Sequence, residues 1–300
     1  MREAVILGGH ESRRGAQGVI AASKLLSERG IDIVEYHIVA DRSALRKRVK
    51  QAVKSGHKLI VVSGGDGAQT TAVGPLAYTD AVLGLIPGGT GNSFAQTLGI
   101  ASDLEAAVEA IVNGRVARVD LGRVNGNYFA NFSTIGLTAE VGARTPRWLK
   151  RFIGSFAYAL CAIKPLATEK PFSCVVKANK KKQKLKTFQI VIANGRYFGT
   201  QPLLPDAWIT DGLLSFFTTT GLSHLELVRM YLAVVAGTQT LLPDAQSFSA
   251  KKIVIKTRGR HLVSIDGDFG GYTPAKFTVE RNALRVMVPL AGPSHPDADG

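Results

Sequence analysis

Up to about residue 120 the chain alternates between short unbroken apolar runs and longer stretches in which apolar positions recur every three to four residues. That alternation predicts strands and amphipathic helices in turn, the pattern of a parallel sheet with helices on its faces. Ala4-Val5-Ile6-Leu7 predicts a first strand, and residues 15–29, with Val19, Ile20, Leu25 and Leu26 as the apolar stripe, predict a helix closed by Gly30. Residues 31–39 predict a second strand and residues 43–55 a second helix, whose Arg42, Arg46, Lys47, Arg48, Lys50 and Lys54 read as a solvated outer face. A β-branched third strand at 58–63 runs into Gly64-Gly65-Asp66-Gly67, followed by a helix at 68–76 that Gly74-Pro75 interrupts. A fourth strand at 81–86 runs into Pro87-Gly88-Gly89-Thr90-Gly91-Asn92, then a helix at 93–98 and another at 102–113, capped by Ser102 and stopped by Gly114.

After Asp120 the texture changes to short strands at 128–133, 172–178, 188–193, 213–218, 251–256, 262–265 and 276–280, interrupted by helical stretches at 146–166 and 224–236. Short strands divided by turns predict a β-sandwich or curved sheet. Residues 180–186, with five lysines, read as an exposed hairpin turn. The expected organisation is an α/β chain: an N-terminal parallel-sheet domain over residues 1–121 and a C-terminal β-sandwich-like domain over 122–300, whose last strands can pack back on the first.

The 300-residue length suits two domains, and 45% hydrophobic with 20% charged residues excludes disordered and collagenous classes. Lys and Arg outnumber Asp and Glu by 37 to 23, a formal +14 that favours polyanionic partners: nucleic acid, an anionic membrane or phosphorylated ligands. Only Cys161 and Cys174 occur, so neither a disulfide framework nor a four-cysteine zinc site is available, and a reducing compartment is expected. The start, with Arg2 and Glu3 beside a short apolar run, does not read as a secretory signal, and the apolar stretch 152–163 is too short to cross a bilayer.

Glycines between a strand and a helix N-terminus let backbone amides approach a phosphate closely, and two such loops in consecutive units point to one ligand site at the carboxyl ends of the strands. Asp66 among them suits a magnesium ion or ligand hydroxyls, because a bare carboxylate repels phosphate. Neither loop matches the Walker A or the GxGxxG pattern.

These loops are part of a wider resemblance. Ser63-Gly64-Gly65-Asp66-Gly67, Ile86-Pro87-Gly88-Gly89-Thr90-Gly91-Asn92-Ser93-Phe94-Ala95 and Asn131-Phe132-Ser133-Thr134-Ile135-Gly136 resemble, in order, the diacylglycerol kinase catalytic family. Leu204-Pro205-Asp206-Ala207, Asp211-Gly212-Leu213 and Asp266-Gly267-Asp268 continue the match. The resemblance implies a lipid kinase that binds ATP between an α/β domain and a β-sandwich. By that resemblance Gly64, Gly65, Asp66, Gly67, Ala68, Thr90, Gly91 and Asn92 hold the nucleotide, with Gly9, Ser12 and Arg13 of the first loop, and Asp66 positions Mg²⁺. Asp266 aligns with the general base and Asp268 and Asp120 with its partner carboxylates; read alone, Asp266-Gly267 is a hairpin turn. Asp211, with the carbonyls of Trp208 and Leu213, aligns with a separate structural Mg²⁺ site.

The chain departs from the family pattern in its first loop, where Gly9 stands in place of the usual Asn-Pro, at Ala68 after the first glycine block, at Thr70-Thr71, at Ser93, and at Asp268, where the family's last motif ends in glutamate. Residues 144–158 mix Arg144, Arg147, Lys150 and Arg151 with Trp148, Leu149, Phe152, Ile153 and Phe156, a pattern that suits either an anionic bilayer or a packed helix with a basic side. This helix or the lysine run could supply membrane contact. The expected activity is transfer of the γ-phosphate of ATP to a lipid hydroxyl, with diacylglycerol as acceptor and phosphatidic acid as product, by a cytoplasmic, peripherally membrane-associated enzyme. The competing readings are a sphingoid or other lipid kinase, a non-catalytic nucleotide or lipid sensor, and nucleic-acid binding. The last lacks a recognised module, with aromatic residues at only 7%. An oligomer is compatible with the sequence.

Overall fold

A computed structural model of the chain describes residues 2–9, 13–137, 139, 170–198, 201–202, 204, 206–221 and 223–292. Ser12, Cys161 and the basic-aromatic stretch 144–158 lie outside the described residues. The chain forms two compact units, one of residues 1–121, 209–211 and 281–300, the other of residues 122–208 and 212–280.

The first unit alternates β1 (Glu3–Gly9), α1 (Arg13–Glu28), β2 (Asp32–Val39), α2 (Arg42–Lys54), β3 (Leu59–Gly64), α3 (Asp66–Leu76) and β4 (Val82–Pro87), then α4 (Ser93–Thr97) and α5 (Leu104–Val112). Its strands run parallel in the order β2-β1-β3-β4. Every residue of β3 and β4 is buried, as expected of central strands covered by helices on both faces. The sheet is completed beyond β4 by the end of β18 (Ala275–Val288), through Arg285 opposite Val82 and Val286 opposite Leu83.

On α1 the inward stripe is Val19, Ala22 and Leu26, while Ile20 points outward at 60% exposure. Helix α2 buries Leu45, Val49 and Ala52 and exposes Arg46, Lys47, Arg48, Lys50 and Lys54, the solvated basic face its periodicity predicts. Two predicted boundaries shift. Helix α3 runs through Gly74-Pro75 and ends at Leu76, one residue after the proline, which costs the helix the bond that residue 75 would have donated to the Thr71 carbonyl. Helix α5 starts after Asp103, whose carboxylate accepts from the Ala106 amide at 2.9 Å, not after Ser102.

In the second unit β5 (Arg115–Val124), which begins in the first, leads to β6 (Asn127–Phe129), β7 (Phe132–Gly136), β8 (Phe172–Ala178), β9 (Lys181–Thr187) and β10 (Gln189–Ala193). A two-stranded ribbon follows, β11 (Tyr197–Phe198) with β12 (Gln201–Pro202), then β13 (Leu214–Thr219), α6 (His224–Ala236), β14 (Ala245–Ala250), β15 (Lys252–Thr257), β16 (Leu262–Ile265) and β17 (Asp268–Tyr272). One antiparallel sheet has the order β14-β13-β10-β7-β16-β17; in the other, the start of β18 pairs with β15, which pairs with β8, which pairs with β9. Phe129, Ile135, Ile190, Ile192 and Phe216 meet Cys174, Val176, Ile253, Ile255 and Phe277 in one buried cluster, the apolar interior of a sandwich. Burial raises the Cys174 thiol to about 12, so it is a packing residue.

Two sequence expectations are corrected here. The lysine run is not a turn: Asn179 and Lys180, with φ of +49° and +62°, make the turn, and Lys181–Thr187 forms β9. Leu185 and Thr187 face inward opposite Cys174 and Phe172 and anchor the end of the strand, while Lys182, Lys184 and Lys186 alternate with them on the exposed side. The strand expected at 128–133 is split in two at Ala130-Asn131.

Candidate functional site

In the first unit, β1 lies between β2 and β3, so the chain reverses its winding direction there, and ligands of open α/β sheets bind outside the carboxyl ends of strands at such a point. Ser63 pairs with Ile86 and Gly64 with Pro87, so the two glycine loops leave the sheet side by side. They touch through bare backbone. A Cβ on Gly89 would lie 2.7 Å from the Gly65 Cα, and one on Gly65 would lie 3.0 Å from the Gly89 Cα. The glycines thus have a packing role, because side chains would separate the loops.

Asn92 fixes the second loop. It adopts the left-handed conformation (φ +51°) ahead of α4, its Oδ1 accepts from the Gly89 amide at 2.9 Å, and its Nδ2 donates to the Gly89 carbonyl at 2.7 Å and to Ser102 Oγ at 3.3 Å. Gln96 donates to the Gly91 carbonyl, and buried Gln69 donates to the Gly64 carbonyl at 2.9 Å. Thr90 is exposed at the tip.

Asp66 joins the two loops. Burial raises its carboxyl above the ordinary aspartate value, opposed by hydrogen bonds from the amides of Ser93, Phe94 and Asn92 and from the Ser93 hydroxyl. Its Oδ1 is buried and has no hydrogen-bond partner. An acceptor-only oxygen so placed fits a divalent cation, so Asp66 is a residue that could hold one. The Ser93 departure has a structural counterpart in its bond to Asp66. Thr70 and Thr71 return their hydroxyls to the Asp66 and Gly67 carbonyls, so they serve the helix.

Arg42 is a residue that the sequence pattern misassigns. Read as part of the outer face of α2, its guanidinium instead lies over Gly67, where a Cβ would come within 1.8 Å of Nη2. This sets a fixed positive charge at the start of α3, beside the first glycine loop. Of the first loop, Gly9 ends β1 with open space around it, and Arg13 opens α1. Ala68 lies in the first turn of α3 and half-buried.

In the second unit, Asp266 and Gly267, with φ of +46° and +84°, form the two-residue turn between β16 and β17, and Asp268 begins β17, exposed. The Asp266 carboxylate does more than turn the chain. Oδ2 accepts from the Ala130 amide at 2.7 Å, and Oδ1 accepts from the amides of Asn131 and Phe132 at 2.9 and 3.0 Å. Three of its roughly four acceptor positions are thereby occupied. The split between β6 and β7 is what frees these amides, and Asn194, which the sequence reading did not single out, holds the same segment by donating to the Ala130 carbonyl at 2.7 Å.

Asp120 belongs to the first unit and is buried, with its Oδ1 accepting from the Asn282 amide at 2.7 Å. Asp211 lies in the segment 209–211, which the chain returns to the first unit, whereas Trp208 and Leu213 belong to the second. The Trp208 ring lies under the Arg196 guanidinium, 3.7 Å from its carbon. Among the described residues no three His, Cys, Asp or Glu side chains converge as a metal-binding group, so a cation at Asp211 would depend on carbonyls and water. No helix among the described residues is long and apolar enough to cross a membrane.

With this geometry in view, residues 8–124 match the model of the diacylglycerol kinase catalytic domain, and residues 132–288 match the YegS C-terminal NAD kinase beta sandwich-like domain. A Mycobacterium tuberculosis protein named diacylglycerol kinase is 30% identical over 298 residues, spanning 95% of this chain and 94% of its own. Its Bacillus subtilis namesake is 28% identical over 245 residues, 80% of each chain. A solved structure from Bacillus anthracis str. Sterne matches with a TM-score of 0.82 at 22% identity, covering 97% of this chain and 98% of that one.

Proposed function

The chain belongs to the diacylglycerol kinase family of lipid kinases, and from that premise we propose that it transfers the γ-phosphate of Mg·ATP to the free hydroxyl of diacylglycerol, giving phosphatidic acid. The observation that carries the nucleotide half is the pair of abutting glycine loops joined by Asp66. Gly64, Gly65, Gly67, Ala68, Thr90, Gly91 and Asn92, with the first loop at Gly9, Ser12 and Arg13, would surround the phosphates, and Arg42 would add positive charge beside Gly67. The unpartnered Asp66 oxygen would hold Mg²⁺, which when bound neutralises charge on the transferred group.

For the acceptor half, we divide the labour between the two carboxylates of the β16–β17 turn. Asp266, the base that the family resemblance implies, accepts from three backbone amides and would position the turn, and Asp268, exposed at the start of β17, is the acceptor we assign in its place to the lipid hydroxyl proton. Asp120, buried against the Asn282 amide, would act by holding the last strand in place. We read Asp211, with the Trp208 and Leu213 carbonyls, as the structural cation site. The enzyme would work in the cytoplasm at an anionic membrane surface, since its acceptor resides in one.

The test is transfer of labelled γ-phosphate from Mg·ATP to diacylglycerol, monoacylglycerol, ceramide and sphingosine in mixed micelles, with Asp268→Asn as the comparison. Labelled phosphatidic acid from the unmodified protein, reduced at least about 100-fold in the variant, is expected. A different labelled lipid would change the acceptor. Nucleotide binding with no labelled lipid would favour a sensor, the reading motivated by the departures at Gly9, Ala68 and Ser93.

A further inference from the structure

The register of the β9, β8, β15 and β18 strands decides which side chains share the solvent face of their sheet. Lys182 stands opposite Lys177, which stands opposite Val254, which stands opposite Lys276. The next row is Lys184, Val175 and Lys256, flanked by rows holding Lys186 with Ser173 and Lys252 with Thr278. All seven lysines are exposed. At strand spacings of about 4.8 Å and two-residue repeats of about 7 Å, they occupy a field about 15 Å by 20 Å. Among the described residues none of them pairs with a carboxylate. The acid nearest in register, Glu280, is engaged by Arg123 and by the Thr278 hydroxyl.

Folding does not account for this array. Lysines on an edge strand guard against edge-to-edge pairing, which covers Lys182, Lys184 and Lys186 on β9, but Lys177, Lys252 and Lys256 lie on β8 and β15, which are paired on both sides. Lysines directly opposite each other, as Lys177 and Lys182 are, destabilise a sheet. The other side chains of the face are small or aliphatic: Ser173, Val175, Val254 and Thr278. It carries no aromatic ring on which a base could stack and no helix to enter a groove, which disfavours nucleic acid.

We propose that this lysine face is the surface by which the protein docks on an anionic lipid bilayer. The inference rests on the reading of the protein as a kinase of a membrane lipid, which it extends by naming the surface that brings the enzyme to its acceptor. A shallow sheet face presents all seven ammonium groups to a plane at once, and each basic residue within a Debye length of an anionic bilayer contributes about fivefold to partitioning.

The experiment measures co-sedimentation of the full chain with vesicles of phosphatidylcholine alone and of equimolar phosphatidylcholine and phosphatidylglycerol. Three forms are compared: the unmodified protein, K182E/K184E/K186E on β9, and R46E/K47E/K50E on the outer face of α2. The expected result is binding to the anionic vesicles only, reduced by at least about 100-fold in the β9 variant and much less in the α2 variant, with the thermal midpoint of the β9 variant no lower than that of the unmodified protein. Phosphorylation of vesicle-embedded diacylglycerol should fall with it, while that of a short-chain, water-dispersed diacylglycerol stays at the unmodified level. Wild-type binding by the β9 variant, or equal losses in both variants, would overturn the proposal, as would tighter binding of duplex or single-stranded nucleic acid through the same lysines. If the unmodified protein phosphorylates neither presentation of the lipid, the kinase reading fails on its own, and the vesicle data still decide whether the face binds a bilayer.

Discussion

Replacing Asp266 by alanine should weaken the fold of the second unit before it says anything about chemistry. The carboxylate accepts from three amides at 2.7, 2.9 and 3.0 Å, and Ala130 and Asn131 are buried to within 2% of complete, so water cannot readily take its place. A hydrogen bond to a charged acceptor contributes about 1.5 kcal/mol at the lower end, so three give about 4.5 kcal/mol, out of a stability of about 5–15 kcal/mol for a typical domain. Alanine also tolerates φ of +46° poorly, which adds about 1 kcal/mol. Hydrogen exchange followed by mass spectrometry or NMR reads this directly: the amides of Ala130, Asn131 and Phe132 should exchange about 1000-fold faster in Asp266→Ala, with smaller changes across β1–β4. Asparagine should rescue only part of the loss, since its NH₂ turns a donor toward a donor. Wild-type exchange at those three amides in the alanine variant would refute the reasoning and return Asp266 to the role of a freely available base.

On the proposed reading Mg·ATP should raise the thermal midpoint of the unmodified protein, and Asp66→Asn should abolish that rise. Because burial raises the folded-state pKa of Asp66, the folded state holds its proton more tightly than the unfolded one, so stability falls as pH rises from the ordinary aspartate range through the raised value. The asparagine variant should lose that slope and melt no lower than the unmodified protein at neutral pH without nucleotide; a lower midpoint there would show that the carboxylate stabilises the loops. Gly89→Ala, which forces a Cβ to 2.7 Å from backbone, should cost about 1–3 kcal/mol in urea unfolding, while Gly67→Ala, which meets only the end of the Arg42 side chain, should cost less. Arg42→Gln should raise the KM for ATP about tenfold with kcat little changed; an unaltered KM would remove Arg42 from the nucleotide site.

What could be read in the sequence is what depends on neighbours along the chain. Strands β3 and β4 are short, largely apolar runs that end at Gly64 and Pro87, each leading into a glycine loop, and α2 carries Leu45, Val49 and Ala52 at helical spacing with an N-cap at Asp41, so both types of element stand out locally. The lysine run was misread because a strand of four lysines has no apolar signature: Leu185 and Thr187 hold it only through partners on β8. Asp266 was legible as a turn residue, and the turn is there. Its bonds to amides some 135 residues away depend on the break at Ala130-Asn131, which no local pattern marks. Arg42 fell on the polar side of the α2 periodicity, and only the absent side chain of Gly67, brought near by the fold, makes room for it. The choice of Asp103 over Ser102 as helix cap is a contest between adjacent residues, and Asn92, reaching Ser102 from the glycine loop, occupies the losing one.

The sheet of the first unit is closed by Arg285 and Val286 alongside β4, and Asp120 accepts from the amide of Asn282 nearby in the chain. During synthesis the exposed edge of β4 must therefore wait for about 200 further residues, roughly 10–40 s at ordinary ribosomal rates. Until then Val82–Pro87, an apolar strand, has an open hydrogen-bonding edge in the nascent chain. Gene fragments ending near residue 121 should accordingly give aggregated product, and a separately supplied peptide spanning residues 281–292 should restore solubility by completing the missing edge.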